Sequence, residues 1–430
     1  MTRQITTLVC VLGYLLGCST LDEIDHTTDA KNASALAEFY DFTWKGIVET
    51  DYCFRAMSAI DQQLLYTVGQ LNGHNSVGRL DQVQVLDHVA TETTDGCRIE
   101  YHATMPVAWA DKQDKNPESF TFILPRNVGW RALDAFVEKY TSTCLKPGAT
   151  DVDSGVFWYY YRPARSSCKP NPEDVIELTA TLGPNANATE GMYPEYHKVW
   201  EDDTLNVVAI FGKAVEDSVG YDSGINAFWT FVDKVEVALG DAVTSSDVFG
   251  EDAASSVIIE ATLDDGRKVN VNVFMIKSVS AASAEFWDQY EALTPSADYI
   301  VYNGHSGLGQ NVKKLARRGS WQTGQYVIVF MNGCDTYAYI DSALADAHAA
   351  VNEDDPEGTK YLDIVANAMP SYVSSTAAAT MAILNGLLSY DAPLTYEDIL
   401  KDIDSYEVAL VTGEHDNEYR PEGPRATNGR

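Results

Sequence analysis

Basic residues are scarce in this chain of 430 residues. It has 30 lysines and arginines against 63 aspartates and glutamates, which gives a formal net charge of -33. A surface of this sign repels the phosphates of nucleic acids, so we expect no nucleic-acid partner and interpret most of the acids as a solvated coat. Hydrophobic residues make up 45% of the chain, which argues against wholesale disorder and suits two packed domains.

Patterns for metal binding and for serine hydrolysis are also missing. The histidines lack the spacing of a zinc site, and residues 151–155 have their glycine in the wrong place for a calcium loop. There is no Gly-x-Ser-x-Gly elbow of the kind that presents a serine nucleophile. We therefore expect neither a metal ion nor a cofactor.

Long apolar runs are absent after the first residues. Residues 6–16 form an apolar stretch behind Arg3, too short to span a bilayer, and no later segment reaches about 18 uninterrupted apolar residues. The stretch ends in the sequence Leu-Leu-Gly-Cys at residues 15–18, which resembles the lipobox of bacterial lipoproteins. That resemblance implies cleavage before Cys18, acylation of Cys18, and a lipid anchor in a membrane of the bacterial cell envelope, on its periplasmic or surface face. An ordinary secretory signal is the alternative.

Cysteines are few, and their count isolates one thiol. Export would remove Cys10, and acylation would use Cys18. Four of the other five precede residue 170 and can form two disulfides in an oxidising compartment. Three connectivities are possible, and chain proximity favours Cys53–Cys97 with Cys144–Cys168. Cys334 is left over, as either an inert buried thiol or a reactive one.

The pattern of the chain changes at several points. Helical spacing of apolar residues at 47–71 and strand-like runs at 98–103, 119–124, 156–161 and 175–178 predict an α+β domain in the first half. The predicted segments are a signal peptide (1–17), a tether (18–35), the α+β domain (36–182), a linker (183–203), a second domain (204–418) and a disordered tail (419–430).

From residue 204 onward, predicted strands alternate with helices. This alternation is typical of an α/β domain with a mostly parallel sheet and helices on both faces. The predicted strands are 205–211, 257–263, 268–276, 299–302 and 326–330, with a hairpin turn at 264–266. The predicted helices are 224–239 and 283–293, and the first presents Ile225, Phe228, Trp229, Val232, Val235 and Leu239 on one face. In such sheets the functional site lies beyond the carboxyl ends of the strands.

Two of these strands end alike. The strand at 299–302 runs into Asn-Gly and then His305, and the strand at 326–330 leads to Asn-Gly and then Cys334. Because neighbouring strands lie about 4.8 Å apart, their ends can place an imidazole and a thiol in one pocket. A cysteine nucleophile needs such a partner, since the thiolate is the attacking form. Taken singly, each residue suits a buried structural role; the matched strand ends favour a catalytic pair.

This pattern resembles the clan CD cysteine peptidases, a group that includes caspases, gingipains and separases. The resemblance covers roughly residues 204–410 and implies a caspase-like domain that hydrolyses a peptide or protein substrate through an acyl-enzyme. It implies that Cys334 is the nucleophile and that His305 protonates the leaving amine. It also implies that the backbone N–H groups of Ser306 and Cys334 hold the oxyanion. The family usually has glycine where Ser306 stands. A degenerate domain that only binds a partner is the alternative, and acyl or peptidyl transfer is a weaker one.

Substrate selection is a further expectation from the resemblance. Relatives that cut after arginine or lysine use an acidic pocket, for which Asp335 and Asp341 are candidates. Tyr302 and Tyr337 are candidate walls of the cleft. Ordinary surface acids and aromatic core packing are the alternatives for these four residues.

Overall fold

The computed structural model describes residues 31–149, 152–218, 221–250, 255–413 and 419–421. The predicted signal peptide, the predicted lipidation site Cys18 and the tether up to residue 30 lie outside the described residues. Within the described ranges, no helix is both long enough and apolar enough to cross a membrane.

The described residues form two sheets and the helices that cover them. The strands are β1 (Lys31–Ser34), β2 (Glu38–Thr50), β3 (Val77–Gly78), β4 (Gln84–Thr93), β5 (Gly96–Trp109), β6 (Ser119–Pro125), β7 (Val175–Pro184), β8 (Thr204–Gly212), β9 (Val243–Phe249), β10 (Ser256–Thr262), β11 (Lys268–Ile276), β12 (Tyr299–Asn303), β13 (Val327–Asn332), β14 (Leu362–Asn367) and β15 (Ala409–Gly413). The helices are α1 (Ala56–Asn72), α2 (Trp130–Cys144), α3 (Phe157–Tyr160), α4 (Tyr196–Val199), α5 (Ser223–Leu239), α6 (Ala284–Leu293), α7 (Gln310–Arg318), α8 (Ala343–Ala349), α9 (Thr376–Leu388) and α10 (Tyr396–Leu400).

The N-terminal half is built on an antiparallel sheet with the strand order β3-β5-β2-β7-β6, and β4 also pairs with β5. The helix expected from residue 47 begins at Ala56, because the residues up to Thr50 continue β2 and alternate between buried and less buried positions. The strand expected at 156–161 is instead the single-turn helix α3, whose Phe157 and Trp158 are buried. Gly69 of α1 permits this close packing, since a Cβ there would lie 2.5 Å from the carbonyl oxygen of Trp158.

The large sheet has the order β1-β15-β14-β13-β12-β8-β11-β10-β9. Its five central strands, β14 to β11 in that order, run parallel, and the strands on both edges are antiparallel. Counted along the chain, the parallel strands have the order 2-1-3-4-5, in which the direction of winding reverses between β8 and β12. A crevice forms at the carboxyl ends of two such strands, and ligands bind there in open α/β sheets.

Three segments that were expected to be irregular take part in the fold. Residues 31–34, predicted as tether, form β1 and pair with β15. The predicted linker contains α4, where the Tyr196 hydroxyl donates to the carbonyl oxygen of Gly386 at 2.8 Å. At the start of the predicted tail, the Tyr419 N–H donates to the Glu195 carboxylate at 2.9 Å. In each case the contact partner is distant in sequence, so local composition does not reveal it.

Helices cover both faces of the large sheet. On one face α5 and α9 bury Phe228 and Leu384 against it. On the other face α6, α7 and α8 pack together with the N-terminal half, and Leu71 of α1 belongs to the same apolar core as Ile300 of β12. The two halves of the chain therefore share one core.

Helix α5 provides a test of this packing. Phe228 is fully buried, whereas its neighbour Trp229, which was expected on the buried face, is 37% exposed. We predict that Phe228→Ala lowers the free energy of unfolding by about 3–5 kcal/mol, because it removes buried area and leaves a cavity. Trp229→Ala is the matched control and should cost clearly less. Chemical denaturation measures both values, and equal losses would contradict the assigned orientation of the helix.

Candidate active site at the ends of adjacent parallel strands

The candidate site begins with two buried asparagines. Asn303 and Asn332 stand opposite each other at the ends of β12 and β13. The Asn332 amide donates to the Asn303 side-chain oxygen at 2.8 Å, and the hydroxyl of Thr380 donates to the same oxygen at 3.0 Å. These bonds join the two strands at the point where each of them ends. His305 and Cys334 lie in the loops that follow these two adjacent strands.

Gly333 allows the two loops to touch. A Cβ at this position would lie 2.7 Å from the carbonyl oxygen of Gly304 and 3.3 Å from the backbone nitrogen of Ser306. Ser306 is buried. Among the described residues, neither the Ser306 N–H nor the Cys334 N–H has a protein acceptor. Two backbone donors are thus available beside the thiol.

His305 is held by the segment that follows β8. Its Nε2 lies 2.9 Å from the carbonyl oxygen of Ala214, which can only accept, so Nε2 carries a proton. The His305 carbonyl is itself fixed, since it accepts from the Tyr302 hydroxyl at 3.0 Å and from the Asn311 amide at 2.6 Å. The ring remains exposed.

Asp222 fixes the segment that holds His305. Its carboxylate accepts from the N–H groups of Ala214 and Val215, at 3.1 Å each, and from the Ser218 hydroxyl at 2.9 Å, and it also caps the N-terminus of α5. Burial opposes ionisation, but these hydrogen bonds outweigh it and lower the pKa of Asp222 to about 2. A permanently charged group therefore positions the Ala214 carbonyl. An aspartate just before a predicted helix is a capping pattern, and that is the signal by which the sequence could have revealed it.

Cys334 is partly buried and unpaired. Its Sγ lies 3.9 Å from the carbonyl oxygen of Ser371, which favours the protonated thiol. Burial, together with the neighbouring Asp335 charge, raises the pKa of Cys334 to about 11. The Ser371 loop is anchored by the buried carboxylate of Glu407, which accepts from the Tyr372 N–H at 3.0 Å and from the Ser375 hydroxyl. No local sequence pattern indicated Glu407.

Asp335 faces the N-terminal half rather than a substrate pocket. It is fully buried, has a left-handed backbone (φ 51), and accepts a hydrogen bond of 2.6 Å from the Asn72 amide of α1. Burial raises the pKa of Asp335 to about 6, while Tyr159, Asn72 and the Arg162 charge oppose that rise. Tyr159 of α3 interacts with both Asp335 and the Cys334 thiol. The expectation that Asp335 is an open acidic pocket is therefore wrong for this structure.

The other pocket candidates also lie elsewhere. Asp341 pairs with Lys313, with an oxygen-to-nitrogen distance of 3.4 Å. Tyr337 is fully buried, and its ring centroid lies 5.4 Å from the Arg79 guanidinium. Tyr302 is buried and supports His305 through its hydroxyl. Tyr302 and Tyr337 are thus core residues, and Asp341 is a partly exposed ion-pair partner.

His305 and Cys334 line one small cavity. Its volume is about 60 Å³, and its walls include the end of β8, the end of β12 and residues from the Ser371 loop. It lies at the crevice that the strand order indicates. A cavity of this size holds only a few water molecules, whereas small-molecule pockets measure about 300–1,000 Å³. The two side chains therefore share a cavity that is too small for a peptide.

The cysteine pairing matches the predicted one. Cys53–Cys97 and Cys144–Cys168 both form disulfides, which leaves Cys334 free. In the part of the chain that the structure describes, no group of three or more His, Cys, Asp or Glu side chains is placed to hold a metal ion.

Comparison with known proteins finds no relative. No protein-family model matches the chain. No curated protein matches it either. The function must therefore be argued from the geometry of the site.

The environment of the thiol leads to a pH prediction. Since burial and the Asp335 charge raise the pKa of Cys334 to about 11, the thiolate fraction should grow throughout the neutral range, reach one half near pH 11 and level off only above it. We expect the rate of iodoacetamide labelling to follow this curve. Cys334→Ala is the control for stray reactivity and should show no labelling. A plateau already at pH 8 would contradict the described environment.

Asp222 provides a second prediction at this site. Asp222→Ala should lower the free energy of unfolding by about 1–2 kcal/mol, since it removes a helix cap. It should also release the Ala214 segment, so the His305 ring loses its fixed hydrogen bond and its NMR signals broaden or shift. Asp233→Ala, an exposed position within α5, is the control. Unchanged His305 signals in Asp222→Ala would show that the carboxylate does not position the ring.

Proposed function

We propose that the C-terminal half is a caspase-like cysteine-peptidase domain of the clan CD type, with Cys334 as the nucleophile and His305 as the general acid. The observation that carries the proposal is that both side chains line one cavity at the ends of adjacent parallel strands. The cavity lies where an α/β sheet of this strand order binds its ligands.

The proposed chemistry uses groups that the site already contains. The Cys334 thiol transfers its proton to Nδ1 of His305, directly or through water, and its sulfur attacks the peptide carbonyl carbon, whose oxygen becomes negatively charged. The available N–H groups of Ser306 and Cys334 stabilise that oxygen. His305 donates the Nε2 proton to the leaving amine, the C–N bond breaks, and a thioester remains. Water then hydrolyses the thioester and regenerates the thiol.

Two contacts must open before a peptide can enter. The His305 Nε2–H is bound to Ala214, so the ring must leave that carbonyl to reach a leaving group. The cavity that the sulfur lines measures about 60 Å³, and the Ser371 carbonyl oxygen lies 3.9 Å from Sγ, so the Ser371 loop must move to admit a peptide. We infer that substrate binding or another event moves these elements, as in enzymes whose loops close over the site.

A second candidate function is a catalytically degenerate domain that acts as a binding or structural module. The specific observation in its favour is the raised pKa of Cys334, together with the closed cavity. Ser306, which stands where the clan CD peptidases usually have glycine after the histidine, also favours the degenerate domain. This candidate retains the fold and predicts no covalent intermediate.

The proposed setting is the bacterial cell envelope, with acylated Cys18 as the anchor. The two disulfides support an exported protein, because such bonds persist in oxidising compartments.

A peptidyl acyloxymethyl ketone library tests the peptidase proposal. We predict that the wild-type protein gains a probe at Cys334, detected by mass spectrometry, and that Cys334→Ala gains none. His305→Ala should reduce peptide turnover by about 100-fold or more, because general-acid catalysis contributes about 10²–10⁴-fold. His197→Ala, which changes an exposed histidine far from the cavity, is the matched control.

The contrary outcome is equally definite. If wild-type protein with native circular dichroism reacts with no probe across the library, and Tyr159→Ala does not restore labelling, the binding function is favoured instead. Tyr159→Ala is informative because it removes a side chain that interacts with the thiol.

A further inference from the structure

A larger cavity lies in the N-terminal half, away from the His305–Cys334 pair. Its volume is about 570 Å³, and it opens between the end of α1, strand β6 and the loop that follows α2. Its apolar walls include Phe120, Ile123, Pro147 and Pro163. Pockets for small ligands measure about 300–1,000 Å³ and are mostly apolar, so this cavity is of suitable size and character.

Three cations line the same cavity: Lys146, Arg162 and Arg165. No aspartate or glutamate is among its lining residues. Among the described residues, none of the three forms an ion pair with a carboxylate. In a chain with twice as many acids as bases, three cations around one apolar space with no carboxylate within ion-pair distance are a specific feature, although the more distant Asp335 acts on Lys146 and Arg162.

The fourth titratable group of the lining is already engaged. His74 pairs with Asp111, with a nitrogen-to-oxygen distance of 2.9 Å. Asp111 forms no ion pair with the three cations and does not line the cavity.

Two of the three cations, Arg162 and Arg165, are held in place by hydrogen bonds to the backbone. The Arg162 guanidinium donates to the carbonyl oxygens of Tyr159 and Tyr161, at 2.9 and 3.1 Å, and the Arg165 guanidinium donates to that of Leu145. The backbone N–H of Lys146, and not its ammonium group, donates to the carbonyl oxygen of Tyr160 at 2.8 Å. The Cys144–Cys168 disulfide closes the loop that carries all three cations. Guanidinium groups that are already fixed by hydrogen bonds lose little conformational entropy when a ligand binds.

We propose that this cavity binds an organic acid, with an apolar body against Phe120 and Pro163 and a carboxylate paired with Lys146 and Arg165. Arginine suits a carboxylate because its donors match the two oxygens, and lysine adds a compact charge. The ligand is either a free organic acid or the C-terminal carboxylate of a peptide, since both present the same chemistry. The inference does not depend on the peptidase proposal.

Isothermal titration with the full chain and a matched pair of probes tests this site. We expect 2-naphthylacetate to bind at least tenfold more tightly than 2-naphthylacetamide, which has the same apolar body without the charge. Lys146→Gln should weaken binding of the acid by about 3- to 10-fold and leave the amide unchanged. Arg165→Gln should also weaken binding of the acid. If this variant disturbs the loop because it loses the hydrogen bond to Leu145, Lys146→Gln still tests the proposal.

Lys139→Gln is the control, because this exposed lysine of α2 pairs with Asp174 outside the cavity. Equal affinity for acid and amide, or no effect of Lys146→Gln, would overturn the proposal. A second pair of probes, N-acetyl-Leu-Phe as acid and as amide, identifies which kind of molecule supplies the carboxylate. Tight, Lys146-dependent binding of this acid indicates a peptide terminus. Binding of naphthylacetate alone indicates a free organic acid. Cys334→Ala should bind the acid normally, so failure of the peptidase proposal is distinguishable from failure of this one.

Discussion

Asn303 and Asn332 face each other across two buried parallel strands, and the hydrogen bond between their side chains joins the two loops of the candidate site. A buried amide without a partner is costly, so each asparagine constrains the other. A slip of one residue between the strands would also send every side chain to the opposite face. The position of His305 beside Cys334 therefore depends on this register, and the Thr380 hydroxyl of α9 reinforces it.

The N-terminal half is part of the site rather than an appendage. Asp335, directly after the candidate nucleophile, is buried against Asn72, and Tyr159 interacts with the thiol. Because the two halves share an apolar core, separating them would expose apolar surface and also the carboxyl group of Asp335. The surroundings of Cys334 thus include residues that lie well over 100 positions earlier in the chain.

The sequence predicts well what depends on local pattern. The buried strands before His305 and Cys334, the hairpin between β10 and β11, helix α5 and both disulfides were all predictable, because apolar periodicity, turn residues and cysteine spacing act over short distances. The helix at α3 was not, since its aromatic residues have strand propensity and only packing on α1 decides the outcome.

Long-range contacts account for what the sequence does not reveal at the site. Asp335 looks like a surface acid until Asn72 is found against it, and Glu407 gains its role only when the Ser371 loop folds onto it. Strand β1 was likewise unpredictable, because its partner β15 lies near the other end of the chain. Each of these contacts joins residues that are close in space and remote in sequence.

The raised pKa of Cys334 sets the energetic problem that any covalent chemistry must solve. A pKa of about 11 means that forming the thiolate at pH 7 costs about 5 kcal/mol, at 1.36 kcal/mol for each pKa unit. Part of this cost comes from burial and falls if the loop opens to water; another part comes from Asp335, which gains charge above its pKa of about 6. Lys146 acts in the opposite direction, because its charge favours the thiolate.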